Sequence, residues 1–397
     1  MRISRVRAYA LNLIVSPEFV ISTTLGTHAT SHYVIIAIEA ADGTIGWGEA
    51  TVVALWSGES QAGSLHVIND VFTPLLVGRD AYDTEAIMKA VNTAVVENTF
   101  TKSAIEMALL DLKGKLLNLP VYKLLGGDVN STRIPIKFSI GLRTPENAAE
   151  IAAEKVAQGF RAIKVKVGPD LATDLERVAC VRDAIGPDIK LNVDVNGGWT
   201  VKQSLQYIPQ FQQFNIAYVE QPTPRWDIDG MAQVRNSVDL PIMADESVFT
   251  PQHAVQVIRK NAADLISVYP GKNGGILNSR LIAKMAEAAD IACHIGSNLE
   301  WDIATSAMCH LAACTGNIQV QTYPVDILGP LYYRTRLPGG AVHFSNGHVQ
   351  VPDGPGFGLV INEDDIRNLA AGETKPENGA GTVAPSTPGT ARAKALL

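Results

Sequence analysis

From about residue 133 the chain settles into a rhythm of short β-like runs alternating with helical stretches. The runs are IPIKFSI, RAIKVKV, KLNVDV, AYVEQ, PIMAD, LISVY, IACHI and IQVQ. Their spacing is about 25 residues, the length of one strand, one helix and two turns. Strands fed in this way cannot pair as hairpins, so the pattern predicts a parallel sheet covered by helices. Seven or eight such units in about 200 residues point to a (β/α)8-type barrel more than to an open doubly wound sheet. No run leads into a G-x-G-x-x-G or G-x-x-x-x-G-K-[ST] loop, so nucleotide binding has no support.

Residues 1–130 read as a separate α+β unit. Strands are predicted near 2–10, 33–40 and 44–49, the last two joined at the Asp42-Gly43 turn. The trio Gly43, Gly46 and Gly48 is assigned to that hairpin. Helical periodicity covers 62–75, 82–96 and 101–118, and the last helix opens on a Thr cap and stops at Pro120. Two loops, 16–32 and 51–60, are rich in Ser, Thr, Gly and His and long enough to serve as binding lids. The barrel occupies 131–345. Residues 371–397 are small, polar and Pro-containing, and predict a disordered tail.

Composition narrows the class of protein. The 397 residues carry 33 Lys+Arg against 40 Asp+Glu, a net charge of −7, with no long basic run. Nucleic acid and anionic membrane are therefore excluded as main partners. Four cysteines without a C-x-x-C pair suggest free thiols in a reducing compartment. The apolar run in MRISRVRAYALNLIVSPEF is too short for a signal peptide and reads as a first strand. No stretch approaches the roughly 20 apolar residues of a membrane span. The expected location is the cytoplasm.

Polar residues at the ends of apolar strands carry the chemistry. In a barrel, functional groups gather at the C-terminal ends of the strands. The second unit ends in Lys164-Val165-Lys166, whose two lysines share a face because they are two apart. The next three end in Asp194, Glu220 and Asp245, each one β/α unit after the last. Three carboxylates on one rim suit a hard divalent cation, Mg2+ above all, with Mn2+ as the alternative. The plain alternative is that each acid caps the helix that follows it. Two lysines, a dication and three carboxylates leave one net positive charge, a local trap for a carboxylate substrate. A lysine beside another lysine and a cation is expected to have a lowered pKa and so to serve as a base. The implied chemistry is removal of a proton next to a carboxylate.

These motifs, with NTFTKSAIEMALLDLKGKLLNLPVYKLLGG (98–127), KNGG (272–275) and NLE (298–300), resemble the enolase superfamily. Within it they resemble the mandelate racemase/muconate lactonizing enzyme family and its muconate cycloisomerase-like subgroup. The resemblance runs from residue 1 to about 370. It implies a modified TIM barrel, (β/α)7β, beneath an N-terminal α+β capping domain, with 346–370 returning to the cap. It implies Asp194, Glu220 and Asp245 as Mg2+ ligands, Lys166 as acid/base, Lys164 as its companion and Asn196 as a polar neighbour of the metal. Glu300 and Asn298 fall on the substrate side. Trp56 and His28, from the two cap loops, are candidate substrate contacts. The substrate would be a small carboxylate, and the assembly a homo-oligomer, dimer or octamer.

One position departs from the subgroup. Tyr269 stands where its members carry a second catalytic lysine in K-x-x-K-N-G-G, with Lys272 in register downstream. A phenol donates a proton but is a poor base. Racemases and epimerases need a base on each face, so the departure counts against them and spares one-lysine syn reactions. The leading expectation is a muconate-type cycloisomerisation, followed by dehydration of a hydroxy or sugar acid. His294, at the end of the seventh strand, is either a lining or core residue or a second acid that would permit anti elimination.

Overall fold

The computed structural model describes residues 1–338 and 340–372. The tail read as disordered lies, beyond residue 372, outside them. Strands β1 (Ile3–Ile14), β2 (Thr30–Ala40) and β3 (Ile45–Val52) form an antiparallel sheet in chain order. At the β2–β3 turn Gly43 takes a φ of +86°, and the Asp42 carboxylate accepts the Thr44 N–H. Gly46 and Gly48 serve another purpose than the hairpin. Helix α1 (Thr84–Ala94) precedes α2 (Thr99–Leu116), and α2 lies against β3. A Cβ on Gly48 would stand 1.9 Å from the Ala104 carbonyl oxygen, so only glycine permits that approach.

The start of α2 also differs from expectation. Asn98 caps it with a φ of +53° and no side-chain bond. The orphan N–H groups of Phe100 and Thr101 instead donate to the Glu59 carboxylate, 2.9 Å each, from the second cap loop. A cap supplied from 40 residues upstream leaves no local signal.

The barrel sheet has seven parallel strands, each beside its chain neighbour: β4 (Phe138–Ile140), β5 (Ala162–Lys166), β6 (Lys190–Asp194), β7 (Ile216–Glu220), β8 (Ile242–Ala244), β9 (Leu265–Val268) and β10 (Ala292–Ile295). The intervening helices are α3 (Pro145–Ala157), α4 (Leu171–Ile185), α5 (Val201–Phe211), α6 (Ile228–Arg235), α7 (Pro251–Arg259) and α8 (Ile276–Ala288). The architecture is a mixed α/β, TIM-barrel-like fold with a separate antiparallel N-terminal sheet.

The eighth run, IQVQ, is not a regular strand. The segment bridges both sheet edges at isolated points, Cys293 with Ile318 and Ile136 with Val325. Pro324 has no N–H to offer a ladder, which confines pairing there to single contacts. Pro135 likewise ends the first predicted run early. Arg133–Pro135 pairs antiparallel with His348–Gln350, and only Phe138–Ile140 joins the barrel. Helix α9 (Asp302–Ala313) follows β10, and α10 (Glu363–Ala370) lies against β1 through the Arg7–Glu363 ion pair at 2.6 Å.

Candidate active site

The strand register gathers the charged side chains. Lys166 pairs with Asp194, Asp194 with Glu220, and Glu220 with Met243, so Asp245 sits two residues further along the same face. Lys164 lies one inward step below Lys166, level with Ser139 and Asn192. All are at least nine-tenths buried except Ser139. The backbone turns sharply just past two of the acids: Asn196 has a φ of +47° and Gln221 of +38°. Such conformations cost of order 1–3 kcal/mol each and cluster at functional sites.

The plain reading of the three acids as helix caps does not hold. Thr200 caps α5 in a capping box with Gln203, Asp227 caps α6, and Thr250 caps α7. Asp194, Glu220 and Asp245 are therefore free for other work, and they line one cavity of about 150 Å³.

Within that cavity the carboxylates are held by ammonium groups. Lys166 Nζ is 2.5 Å from Asp194 Oδ2 and donates to Asn196 Oδ1 at 2.8 Å. Lys164 Nζ reaches Glu220 at 3.2 Å and Asp194 at 3.4 Å. Lys272, fully buried, donates to Asp245 Oδ1 at 2.6 Å and to two backbone carbonyls. Among the described residues no three His, Cys, Asp or Glu side chains are gathered at metal-holding distance. The donor set nevertheless fits a hard dication. Burial, then Asp194 as a like charge, pushes the Glu220 carboxyl up to about 7. Glu246 rises to about 8 through burial and the charges of Asp245 and Asp194, and its Oε2 has no partner. Negative charge is crowded here beyond what the lysines offset.

The structure adds a carboxylate that sequence reasoning missed. Asp326, buried at the irregular eighth strand, accepts Lys164 at 2.8 Å and Ser139 Oγ at 3.1 Å, and pairs with Lys137 at 3.4 Å. Its signal was available, a lone acid inside the apolar VDIL at a strand end, as was Lys137 inside IPIKFSI. Opposing effects act on the pKa of the Lys164 ammonium. Burial acts to lower it, but Asp326, Glu220 and Asp194 outweigh burial and hold it well above its ordinary value. Lys164 is a fixed cation.

Of the other candidates, Asn196, Asn298, Trp56 and His28 line the cavity. Asn298 Nδ2 also reaches back to the Thr51 carbonyl at 3.3 Å. The hairpin of Ile21–Thr23 and Gly26–His28 covers the mouth, and Thr24 Oγ1 donates to the Val195 carbonyl at 3.1 Å.

Three candidates do not line the cavity. His294 lies one layer deeper, its Nε2 2.8 Å from Lys137 Nζ, and burial followed by Lys137 keeps the imidazole well below 6.5 and neutral. Its parity faces inward, but two residues short of the mouth. Glu300 accepts the Asn298 N–H at 2.9 Å and the Ser297 hydroxyl at 2.6 Å, so it shapes the loop after β10. Tyr269 is 1% exposed behind the cavity wall, near Trp56 (5.9 Å between ring centroids) and Phe100 (6.5 Å), with a hydroxyl that has no partner among the described residues. Burial, then Asp245 and Glu300, pushes the phenol well above 10. The neutral hydroxyl can donate a hydrogen bond but cannot serve as a base near neutral pH. From the two cap loops, Glu59 caps α2 and Glu18 is exposed, so neither meets the cavity.

Comparison with known proteins identifies the family. Residues 147–365 match the enolase C-terminal domain-like family, and residues 11–126 match the mandelate racemase/muconate lactonizing enzyme N-terminal domain. The chain is 34% identical to the N-succinyl-L-Arg/Lys racemase of Bacillus cereus across 93% of this chain and 98% of that protein. It is 32% identical to muconate cycloisomerase 1 of Rhodococcus opacus, covering 84% of this chain and 89% of the relative. The crystal structure of the Enterococcus faecalis dipeptide epimerase, complexed with Mg and the dipeptide L-Leu-L-Tyr, superposes with a TM-score of 0.85 at 32% identity, covering 90% and 99%. The chain belongs to the enolase superfamily, and the relatives it matches are enzymes: racemases, epimerases and cycloisomerases.

Proposed function

We propose that the chain catalyses Mg2+-dependent proton transfer at the carbon next to a substrate carboxylate, with one base acting from one face. Asp194, Glu220 and Asp245 would hold the cation, and the Mg-complexed epimerase of the same fold supports that ion. Bound there, Mg2+ supplies positive charge to a carboxylate that gains electron density as its α-proton leaves. Lys166 takes up and returns the proton, oriented by Asn196, which in turn donates to Glu246 at 2.9 Å. Lys164, held charged by Asp326, contributes a fixed cation beside the substrate's carboxylate.

The observation that carries the one-base reading is Tyr269, a buried neutral phenol in the place of a second lysine. His28 lines the cavity, and burial, then His32, pulls its imidazole down to about 4, too weak to act as an efficient base. One base suffices for syn cycloisomerisation or syn β-elimination. The second reading is epimerisation, favoured by the 34% identity with a racemase. The test incubates the Mg2+-loaded protein in D2O with muconolactones, hydroxy acids, acid sugars and N-acyl amino acids, followed by NMR. The one-base reading expects α-hydrogen loss or turnover without inversion. Rapid stereoinversion of any acid would establish epimerisation instead.

A further inference from the structure

We infer that the acid taken by this site carries a single carboxylate, and that the rest of the molecule is uncharged and largely apolar, seated beneath Leu25, Leu55 and Trp56. The inference rests on the reading of the site as one for α-proton chemistry and narrows it: an acid with one carboxylate suits syn β-elimination and cannot close a lactone through a second carboxylate.

The cavity is charged at one end only. Its floor holds Lys164, Lys166 and the carboxylates, while the cap side presents Leu25, Leu55 and Trp56 beside the uncharged Thr23, Thr27 and His28. Leu25 is 43% and Leu55 75% exposed. Single exposed leucines are common on any surface. These two differ in standing at the rim of the same cavity, opposite its charged floor, where an apolar ligand would cover them.

A second charge on the ligand would find no counterpart at that end. Residues 16–32 and 51–60 contain no Lys or Arg. Two arginines come near these loops, and neither lines the cavity. Arg143 donates to the Glu18 and Val20 carbonyls, and Arg225 donates to the Trp56 carbonyl at 3.3 Å while standing over the Phe249 ring. His28 is tied to Ser31, whose hydroxyl is 2.5 Å from the Tyr333 hydroxyl. A distal cation fares no better, since Glu18 is exposed and Glu59 is spent on capping α2. Burying an uncompensated charge against leucine and tryptophan is costly.

The test uses pairs of acids matched in length and differing only in distal charge: N-butyryl-L-leucine against N-succinyl-L-leucine, and 3-hydroxyhexanoate against 3-hydroxyadipate. Binding to the Mg2+-loaded full chain is measured by calorimetry, and α-hydrogen exchange in D2O by NMR. The neutral-tailed member of at least one pair is expected to bind ten-fold or more tightly than its dicarboxylate partner. Leu55→Arg, at an exposed position, is expected to narrow or reverse that ratio, and Leu25→Arg provides an independent check. Exchange that persists while the dicarboxylates bind as well or better would overturn this inference alone. A ratio unmoved by both arginine variants would also overturn it. If no acid of either kind binds or exchanges, the reading of the site falls, and this inference with it.

Discussion

The barrel mouth and the cap that covers it solve opposite problems. At the mouth, charged groups from strands β5 to β8 and the eighth segment are buried and mutually bonded, with Lys164 alone contacting three carboxylates. At the cap, the hairpin of residues 21–28 and the turn around Trp56 present uncharged surface, with Leu25 and Leu55 open to solvent. The mouth is built on a parallel sheet whose register fixes each side chain. The cap loops are held at a few points, such as Thr24 on the Val195 carbonyl and Glu59 on the start of α2. The division implies that changes at the mouth alter the rate of chemistry, and changes at the cap alter which acid is bound.

The largest effect should come from the mouth. Lys166→Ala is expected to lower kcat by about 10³-fold, within the usual range for removal of a positioned acid/base, while thermal melting stays close to that of the parent protein. A comparable loss in KM with kcat preserved would break the division.

Next is a stability effect beneath the mouth. His310, inside α9, accepts the Tyr122 N–H at 3.1 Å and is pulled down to about 4 by burial. Its neutral form is the one the fold accommodates, so its contribution is present above pH 6.5 and is lost as pH falls toward 4. Urea titrations over that range should show the parent losing up to roughly 3 kcal/mol relative to His310→Gln. Parallel curves would remove this account of the α9 packing.

At the cap, Glu59→Gln is expected to cost about 2 kcal/mol, because two N–H groups at a buried helix start lose a carboxylate acceptor. Denaturant midpoints measure the loss, and KM should rise more than kcat falls as the Trp56 turn loosens. The smallest effect belongs to Leu55→Ala, about 1 kcal/mol in substrate binding, or roughly five-fold in KM with kcat unchanged. A kcat effect larger than the KM effect would place Leu55 in the chemistry and blur the comparison.

Much of the mouth could be read from the chain because strand periodicity is short-range and regular. Asp194, Glu220 and Asp245 recur once per unit, and a polar residue ending an apolar strand is visible without coordinates. What could not be read depends on partners distant in sequence. Glu59 caps a helix that begins 40 residues later, the Lys137–Asp326 pair spans most of the barrel, and the high pKa of Lys164 follows from Asp326 together with Glu220 and Asp194. The depth of His294 and Tyr269 behind the cavity wall was equally hidden, since parity distinguishes inward from outward but not one layer from the next. Proline explains the two strand errors, at Pro135 and Pro324, where a missing N–H shortens the ladder.

The central claim, a single lysine working from one face, is tested most directly by the stereochemistry of exchange. A single enantiomer of a bound acid is incubated in D2O with the Mg2+-loaded protein, and its α-deuterium content and configuration are followed together by NMR and chiral chromatography. The account predicts deuterium incorporation with retained configuration in the parent and none in Lys166→Ala. Incorporation with inversion, or exchange that continues without Lys166, would contradict it.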